Sequence, residues 1–345
     1  MTTPQWFSVR DKNLLLQHGS TDLLALAQRR GALLHKLLNG TSIFEADLTR
    51  PLGRICHQDW FQIIENCQQQ LKSPELPFLL GESMLHNPYI SLCQALLTAP
   101  NLAQALRLLH CYRHQIFPGI YPQLLPQSDT LLVGVKAGFA KAPQQFINVA
   151  MFSLVQALVK QQFGNNDGLT LLFRSSEHNA AIHHQHHFGC KVLFSQPVDG
   201  IKIEKTLLLT SFKRHDAKRF AAARRSCAQL SRILPKQPSL AELIYRQQRQ
   251  ALPALLTAES MASQLELSNS AFRRQLTQEF ISFNRLVDEV RQDRAQQLLQ
   301  QRQCSNKELA NLLGYSDEHN FRRAFKRWTG IIPSNFRDFF GLSTT

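Results

Sequence analysis

Apolar residues recur three and four positions apart over most of the chain, as at 23–27 and 102–109, which is the spacing of amphipathic helices. Apolar residues also cover more than one helix face between 143 and 163, which indicates a helix at the centre of its domain or one half of a dimer contact. Short apolar runs bounded by turn residues predict strands at LLVGV (131–135), LTLLF (169–173), KVLF (191–194) and GIKIE (200–204). Residues 1–209 are therefore predicted to form an α+β domain.

A change of pattern follows this domain. A basic helix is predicted over 211–234, and Pro235 and Pro238 then interrupt the chain as a linker would. From residue 239 onward the periodicity is helical throughout. The predicted organisation is an α+β domain at 1–209, a basic helix and linker at 210–238, and an all-α domain at 239–345.

The all-α domain contains two copies of one unit, a short helix followed by a tight turn and a Ser-capped helix. Thr257 and Ser268 are the predicted N-caps of the first copy; in the second, Ser305 forms a capping box with Glu308 and Ser316 is the next N-cap. The helix between the copies, roughly 18 residues long, spans about 27 Å. In a helix-turn-helix, the second helix of the unit is the recognition helix that enters the major groove of DNA. The length of the connecting helix suits two such recognition helices about 34 Å, one turn of DNA, apart on one duplex face.

These residues closely resemble a known family. Residues 257–337 are similar to the DNA-binding domain of AraC/XylS-type transcription regulators, and its signature positions are matched by Ala310, Gly314, Ser316, Phe321, Phe325, Lys326, Gly330 and Pro333. Residues 79–115 and 188–208 resemble the amino-terminal effector or dimerisation domain of the subgroup of ornithine- and virulence-type regulators. That domain is labelled arabinose-binding by remote analogy, so the label does not identify a sugar.

The resemblance implies a DNA-binding transcription regulator that is not an enzyme. Its fold would be an α+β amino-terminal effector or dimerisation domain followed by an all-α domain with two helix-turn-helix units. Implied base readers are Ser270, Arg273 and Arg274 on the first recognition helix, and His319, Asn320 and Arg323 on the second. Arginine can bond bidentately to guanine and Asn to adenine. Implied phosphate contacts are Arg322, Lys326 and Arg327. The alternative interpretation is that all of these are solvated surface positions.

The sequence departs from the family after the first recognition helix. Many relatives have Gly there, where this chain has Phe280. The position that follows a helix C-cap favours Gly because it takes a positive φ. Phe280 therefore predicts either a different helix exit or modest backbone strain.

The net positive charge of the chain is not concentrated in the DNA-binding domain. The chain has 39 Lys and Arg against 25 Asp and Glu, a net charge of +14. Residues 236–345 carry only +4, whereas residues 1–235 carry +10, of which +7 lies in 202–232. The basic helix is interpreted as an ordinary solvated face, with contact to phosphates beside the operator or to an acidic surface of RNA polymerase as alternatives.

Two further groups of side chains in the amino-terminal part are candidate sites. Its positive charge and Phe-rich segments favour an anionic or apolar effector such as a fatty acid. Lys36, Arg50, Arg54 and Arg113 are the candidate carboxylate partners or, alternatively, solubilising surface residues.

The second group consists of histidines and one cysteine: His178, His183, His184, His186, His187 and Cys190. His183 and His187 are four positions apart on one face of a predicted helix and could bind zinc together, with Cys190 as the third ligand. The imidazoles could instead sense pH or be plain surface residues. We predict no metal and no cofactor, and keep a metal-dependent sensor or enzyme as an alternative function.

No leader peptide and no stretch of 18 apolar residues is present, which favours a cytoplasmic chain with no membrane partner. The seven cysteines contain no C-x-x-C pair and are expected to be reduced. No nucleophile elbow, Walker A, H-E-x-x-H or G-x-G-x-x-G motif occurs. The prediction is a homodimeric regulator of double-stranded DNA that senses a small molecule. Effector-independent DNA binding, set by abundance or protein partners, is the alternative.

Overall fold

The computed structural model of the protein describes residues 6–17, 19–50, 52–117, 120–126, 130–137, 143–176, 181–196, 198–234, 238–301 and 304–339. The chain divides into two compact units. The first unit is Val9–Lys236, and the second unit comprises Met1–Ser8 together with Gln237–Thr345.

The first unit is an α+β structure. Its helices are α1 (Ser20–Arg29), α2 (Leu34–Leu37), α3 (His57–Leu71), α4 (Leu76–Leu85), α5 (Ser91–Thr98), α6 (Leu102–Tyr112), α7 (Gln144–Phe163), α8 (Ala181–Phe188), α9 (Lys205–Leu209) and α10 (Ala217–Ile233), with 3₁₀ turns at Glu45–Thr49 and Arg113–Gln115. Its strands are β1 (Leu14–Leu15), β2 (Arg54–Ile55), β3 (Ile120–Pro126), β4 (Thr130–Ala137), β5 (Leu169–Leu172), β6 (Lys191–Leu193) and β7 (Gly200–Glu204).

The main sheet has the strand order β3-β4-β7-β5-β6. Neighbouring strands are antiparallel except for the parallel pair β5 and β6. The four strands predicted from the sequence correspond to β4, β5, β6 and β7. Strand β3 was not among the predicted strands, because its Pro122 and Pro126 argue against one. Because β3 is an edge strand, its prolines do not break the ladder.

Helix α7 lies at the centre of the first unit. Fourteen of its 20 residues are buried, which accounts for apolar side chains on more than one face. It packs closely on α4 at Gly81, where an added Cβ would lie 2.1 Å from the carbonyl oxygen of Ala150. Only glycine permits this approach of the two backbones.

The basic helix α10 belongs to the first unit, whereas the sequence analysis sets it apart with the linker. It packs against α5 through Phe220, Ala223 and Cys227. The side chain of Gln115 donates to the carbonyl of Cys227 at 3.0 Å. The apolar face is narrow and the basic residues around it dominate the pattern, which is why composition alone suggested a separate segment.

The second unit is all-α over the part of the chain that the structure describes. Its helices are α11 (Leu240–Ala251), α12 (Ala258–Gln264), α13 (Asn269–Gln278), α14 (Phe283–Gln301), α15 (Asn306–Leu312), α16 (Glu318–Thr329) and α17 (Pro333–Phe339). One apolar cluster joins α11, α12 and α13. A second, aromatic cluster contains Phe321, Phe325, Trp328 and Phe336. Each predicted copy of the repeated unit therefore has a core of its own.

Candidate nucleic-acid interface

The first helix-turn-helix is formed by α12 and α13. Its turn closes with a hydrogen bond from the amide of Leu267 to the carbonyl of Ala262 at 2.9 Å, and Glu266 takes a positive φ of 57°. Ser268 is the N-cap of α13, because its Oγ accepts from the amide of Ala271 at 3.2 Å. This predicted cap is confirmed, as is Thr257 at the start of α12.

The second helix-turn-helix, α15 and α16, repeats this turn 48 residues later. The amide of Tyr315 donates to the carbonyl of Ala310 at 2.9 Å, and Gly314 takes a positive φ of 70°. The predicted capping box of Ser305 and Glu308 is present at the start of α15. The two copies therefore match in backbone geometry as well as in sequence pattern.

Helix α13 presents its predicted base readers to solvent. Ser270, Arg273 and Arg274 are exposed, while Phe272 and Leu276 face the core. Among the described residues neither arginine forms an ion pair or a side-chain hydrogen bond. Both guanidinium groups are thus available to an external acceptor.

Helix α13 ends in a Schellman motif despite the absence of Gly. Phe280 takes a positive φ of 56°, and its amide donates to the carbonyl of Thr277 at 3.1 Å. The amide of Ile281 donates to the carbonyl of Leu276 at 2.8 Å. Both hydrogen bonds of the motif form. The exit is therefore the usual one, at the cost of a strained φ for a large side chain.

A polar network occupies the start of α16. The N-cap is Asp317, whose Oδ1 accepts from the amide of Asn320 at 2.7 Å, so the predicted cap at Ser316 is wrong by one residue. Ser316 instead donates its hydroxyl to Asp317 at 3.1 Å. Asp competes well with Ser as a cap because its negative charge also favours the helix N-terminus. The bond from the Asn320 amide is the main reason that the pKa of Asp317 is lowered.

The same network holds two of the predicted base readers. The amide nitrogen Nδ2 of Asn320 donates to Ser316 and to Asp317, at 3.0 and 2.6 Å. Its Oδ1 accepts from Nη2 of Arg323 at 2.6 Å. Asn320 is half-buried and engaged on both ends of its amide, whereas the guanidinium of Arg323 is exposed.

The remaining predicted contacts of α16 are also on its outer face. His319, Arg322, Lys326 and Arg327 are exposed, and Phe321, Ala324, Phe325 and Trp328 are buried. Arg327 pairs with Asp288 of α14 at 2.8 Å. Arg322 and Lys326 form no ion pair with any described residue. Two of the three predicted phosphate contacts therefore present free positive charge.

Arg291 of α14 was not predicted as a functional residue, but its side chain forms hydrogen bonds with the turn between α15 and α16. Its Nε donates to the carbonyl of Leu313 at 3.0 Å and its Nη2 to that of Gly314 at 3.2 Å. Its guanidinium lies 4.5 Å from the ring centroid of Tyr315. Burial raises the pKa of Tyr315 to about 12. The bonds of Arg291 join residues more than 20 positions apart, so no local pattern indicates them.

Sequence reasoning also missed the amino-terminal residues of the second unit. The amide of Phe7 donates to the carbonyl of Pro238 at 3.0 Å, and Trp6 packs against the apolar cluster of α11, α12 and α13. Ser8 donates its hydroxyl to the carboxylate of buried Glu279 at 2.5 Å. Residues 6–8 therefore join the first helix-turn-helix, although the sequence analysis assigned them to the α+β domain.

The four basic residues proposed for an effector differ in their surroundings. Lys36 is exposed on α2, and Arg50 pairs with Asp47 at 2.8 Å. Arg54 donates to the carbonyl of Ile233 at 2.9 Å. Arg113 donates to the carbonyl of His110 at 2.8 Å.

The structure gives two members of the histidine cluster a packing role. His184 is 4% exposed and packs edge-on against Phe173, with 4.6 Å between ring centroids. His187 stacks on Phe78 at 4.6 Å. His178 and the side chain of His183 lie outside the described residues. Over the side chains that are described, no three His, Cys, Asp or Glu come together as metal ligands. Burial raises the pKa of Cys190 to about 11, which opposes its use as a thiolate ligand.

Comparison with known proteins identifies the family. The family described as "Helix-turn-helix domain" matches residues 261–338, and the family described as "Arabinose-binding domain of AraC transcription regulator, N-term" matches residues 31–212, more than half of the chain. The chain belongs to the AraC family of transcription regulators. It is therefore a regulator with a helix-turn-helix DNA-binding domain and an arabinose-binding-like amino-terminal domain, and not an enzyme.

Several transcription regulators are similar to this chain. The "Ornithine utilization regulator" of Pseudomonas aeruginosa is 24% identical over 325 residues, which cover 92% of this chain and 94% of that protein. The regulator VirS of Mycobacterium tuberculosis is 26% identical over 172 residues, half of each chain. The crystal structure of the regulator CdpR from Pseudomonas aeruginosa aligns with 93% of this chain and 98% of that one, at 21% identity and a TM-score of 0.44.

The described part of the chain contains no helix that is both long and apolar enough to cross a membrane. All seven cysteines are free, and four of them, Cys56, Cys67, Cys93 and Cys227, are buried.

Proposed function

We propose that this AraC-family chain recognises specific double-stranded DNA by placing α13 and α16 in successive major grooves. The observation that carries the proposal is the repetition of one turn geometry 48 residues apart, each time followed by a capped helix with exposed arginines. Helix α14 has 19 residues and so spans about 28 Å. A single chain would then cover two sites about one DNA turn apart.

Within each recognition helix the arginines are the proposed base readers. Arg273 and Arg274 form no ion pair and no side-chain hydrogen bond among the described residues, although the charge of Arg273 contributes to lowering the pKa of Glu259. Arg323 is held by Asn320, which fixes its position before DNA arrives. A guanidinium in that position can bond guanine bidentately. Ser270 on α13 and His319 on α16 are exposed polar residues on the same helices as these arginines. Asn320 would read adenine only by releasing its present hydrogen bonds.

Phosphate contacts would come from the residues that flank these readers. Arg322 and Lys326 are exposed cations without an ion pair among the described residues. Arg327 would have to exchange Asp288 for a phosphate. Such contacts fix the register of the protein on DNA without specifying sequence, and they make binding salt-dependent.

We further infer that the first unit forms the homodimer contact and receives a small-molecule effector in the cytoplasm. The arabinose-binding-like family match supports this role, as does the existence of a relative named for ornithine utilization. Effector binding or dimerisation would set the spacing of the DNA-binding units, and so decide whether all half-sites are engaged.

The test is a comparison of affinities for a site selected from random duplexes and for an unselected duplex at the same salt concentration. One bidentate base contact contributes about 1–3 kcal/mol, so Arg273→Ala and Arg323→Ala should each weaken specific binding about 5- to 150-fold. Non-specific binding should change little. Arg285→Ala is the matched control, because Arg285 is exposed in the same unit but pairs with Glu289 on α14. Unchanged specific binding in both reader variants would show that the assignment is wrong.

A further inference from the structure

A cleft of about 380 Å³ lies in the first unit between α4, α7, α8 and the segment that leads into α10. Phe78 contributes its aromatic ring, on which His187 stacks. None of the residues that the sequence suggested for an effector lines this cleft. Its volume is in the range of small-molecule sites.

Two polar atoms in the lining lack partners. Oε1 of Gln161 and Nε2 of His187 are buried, and neither forms a hydrogen bond with any described residue. Nε2 of His187 lies 3.7 Å from Oε1 of Glu75, beyond hydrogen-bond distance. A buried polar atom without a hydrogen bond is costly and is usually satisfied by a partner. Both atoms are closed off from the cleft, so only a rotation of the Gln161 or His187 side chain would bring them to a ligand bound there.

The charges around the cleft are also unpaired. Lys160 and Arg214 contribute two cations and Glu82 one carboxylate, and none of the three forms an ion pair within the described chain. The residues that line the cleft therefore carry two positive charges and one negative charge.

We propose that this cleft binds a small carboxylate that also bears an ammonium group, the chemical class of the amino acids. The carboxylate would be bound by Lys160 and Arg214, and the ammonium by Glu82. A ligand with a carboxylate alone would meet repulsion from Glu82, and an uncharged sugar would leave all three charges unpaired. The inference deepens the proposed effector role of the first unit and rests on it.

The position of Arg214 connects the cleft to the start of α10. The backbone amide of Arg214 donates to Oε1 of Gln162 at 3.2 Å, and the amide of Asp216, the N-cap of α10, donates to the carbonyl of Thr98 at 3.3 Å. A ligand held by the Arg214 side chain would thus restrain the segment from which α10 begins.

The test is isothermal titration calorimetry on the full chain with the standard L-amino acids and L-ornithine, with succinate as an amine-free carboxylate and L-arabinose as an uncharged ligand. We expect saturable binding of at least one amino acid and none of arabinose. Lys160→Gln and Arg214→Gln should each weaken that binding at least tenfold, because each removes a charge-assisted hydrogen bond. Glu82→Gln should weaken binding of the amino acid but leave or improve that of succinate. Lys213→Gln, an exposed neighbour outside the cleft, is the control.

The possible results distinguish a wrong ligand site from a wrong effector role of the first unit. If an amino acid binds and the three cleft variants bind it as the unaltered chain does, the site is wrong while the effector role stands. If arabinose binds and no amino acid does, the ligand class is wrong. If no compound binds, the proposed cleft ligand is rejected, and gel shifts on the same preparation decide the DNA-binding function independently. The substituted side chains are exposed, so unchanged thermal unfolding without ligand is expected and shows that each variant is folded.

Discussion

At the scale of single residues, the arginines of the two recognition helices are presented differently. Arg273 and Arg274 extend from α13 without a hydrogen-bonded neighbour, while Arg323 of α16 is held by Asn320. Restraining a long side chain before binding reduces the conformational entropy lost when it contacts a base. We therefore regard Asn320 chiefly as a residue that positions Arg323.

The coupling between Asn320 and Arg323 can be measured. If Asn320 acts through Arg323, the losses in specific DNA affinity from Asn320→Ala and Arg323→Ala will not add, and the coupling energy will be at least about 0.5 kcal/mol. A double-mutant cycle on the selected site gives this quantity. The pair Arg273→Ala and Arg323→Ala, one on each recognition helix, is the additive control. Additive losses for Asn320 and Arg323 would show instead that Asn320 reads a base independently.

The N-cap of α16 gives a prediction about pH. The pKa of Asp317 is lowered from 3.8, first by the backbone N–H of Asn320, so its carboxylate stabilises the folded state above about pH 4. That contribution is lost as the pH falls through the lowered pKa. Asp317→Asn keeps a good cap but cannot titrate. Hydrogen-exchange protection of α16 should therefore fall less steeply in this variant as the pH is lowered from about 5 to about 2. An identical slope would mean that Asp317 does not carry the effect.

Exposure of the reader side chains could be predicted from sequence, but their mutual bonds could not. Helical periodicity placed Arg273, Arg274 and Arg323 outside because Phe272 and Phe321 had to be inside. The Asn320 bonds depend on side-chain rotamers, and the shift of the cap from Ser316 to Asp317 depends on which of two adjacent good caps the turn favours. Periodicity carries no information on either.

At the scale of elements, the two helix-turn-helix units share their hydrogen bonds but not their turn residue. Gly314 of the second turn corresponds to Glu266 of the first, and both have a positive φ. The difference lies in the surroundings. A Cβ on Gly314 would lie 2.3 Å from the carbonyl oxygen of Pro253, so glycine is required there for space as well as for φ.

Substitutions at the two turn positions should therefore have unequal effects. Gly314→Ala adds backbone strain and a clash, and should lower the free energy of unfolding of the second helix-turn-helix by about 1–3 kcal/mol or more. Glu266→Gly removes strain but makes the unfolded chain more flexible, so its effect should stay within about 1 kcal/mol. Hydrogen exchange in α15 and α16, and in α12 and α13, measures each unit separately. Comparable losses in both variants would contradict this account.

Strong periodicity predicted the long helices, and the missed elements have physical causes. Strand β3 has two prolines that only an edge strand tolerates. The basic helix α10 was predicted as a helix, but because it buries only a narrow face it was grouped with the linker rather than with the first unit. Phe280 was predicted to be unusual, and the structure shows the strained but regular exit.

At the scale of the whole molecule, the net charge of +14 says little about where DNA binds. The DNA-binding family match covers residues that are only weakly basic, and its recognition depends on a few exposed arginines rather than on a charged surface. The unpaired cations of the first unit include those of the cleft, for which we propose a carboxylate ligand. Residues 6–8 could not be assigned from sequence, because their partners lie more than 230 positions away.

Removal of residues 1–8 tests that assignment. The truncated chain loses the Trp6 packing and the bond from Ser8 to Glu279, which is then left buried with fewer partners. Hydrogen exchange should therefore increase in α12 and α13, while α4 and α7 of the first unit keep their protection. Ser8→Ala should reproduce part of the effect. Equal protection in the full-length and truncated chains would show that the segment does not support the second unit.

The central claim, that one chain reads DNA with two recognition helices, is tested most directly by changing the spacing of its site. The measurement is the affinity of the full chain for the selected site and for the same site with five base pairs inserted between its two halves. Half a turn moves one half-site to the opposite face of the duplex, which the 19-residue helix α14 cannot follow. We predict that affinity falls to that of a single half-site. Equal affinity for the two duplexes would contradict two-helix recognition.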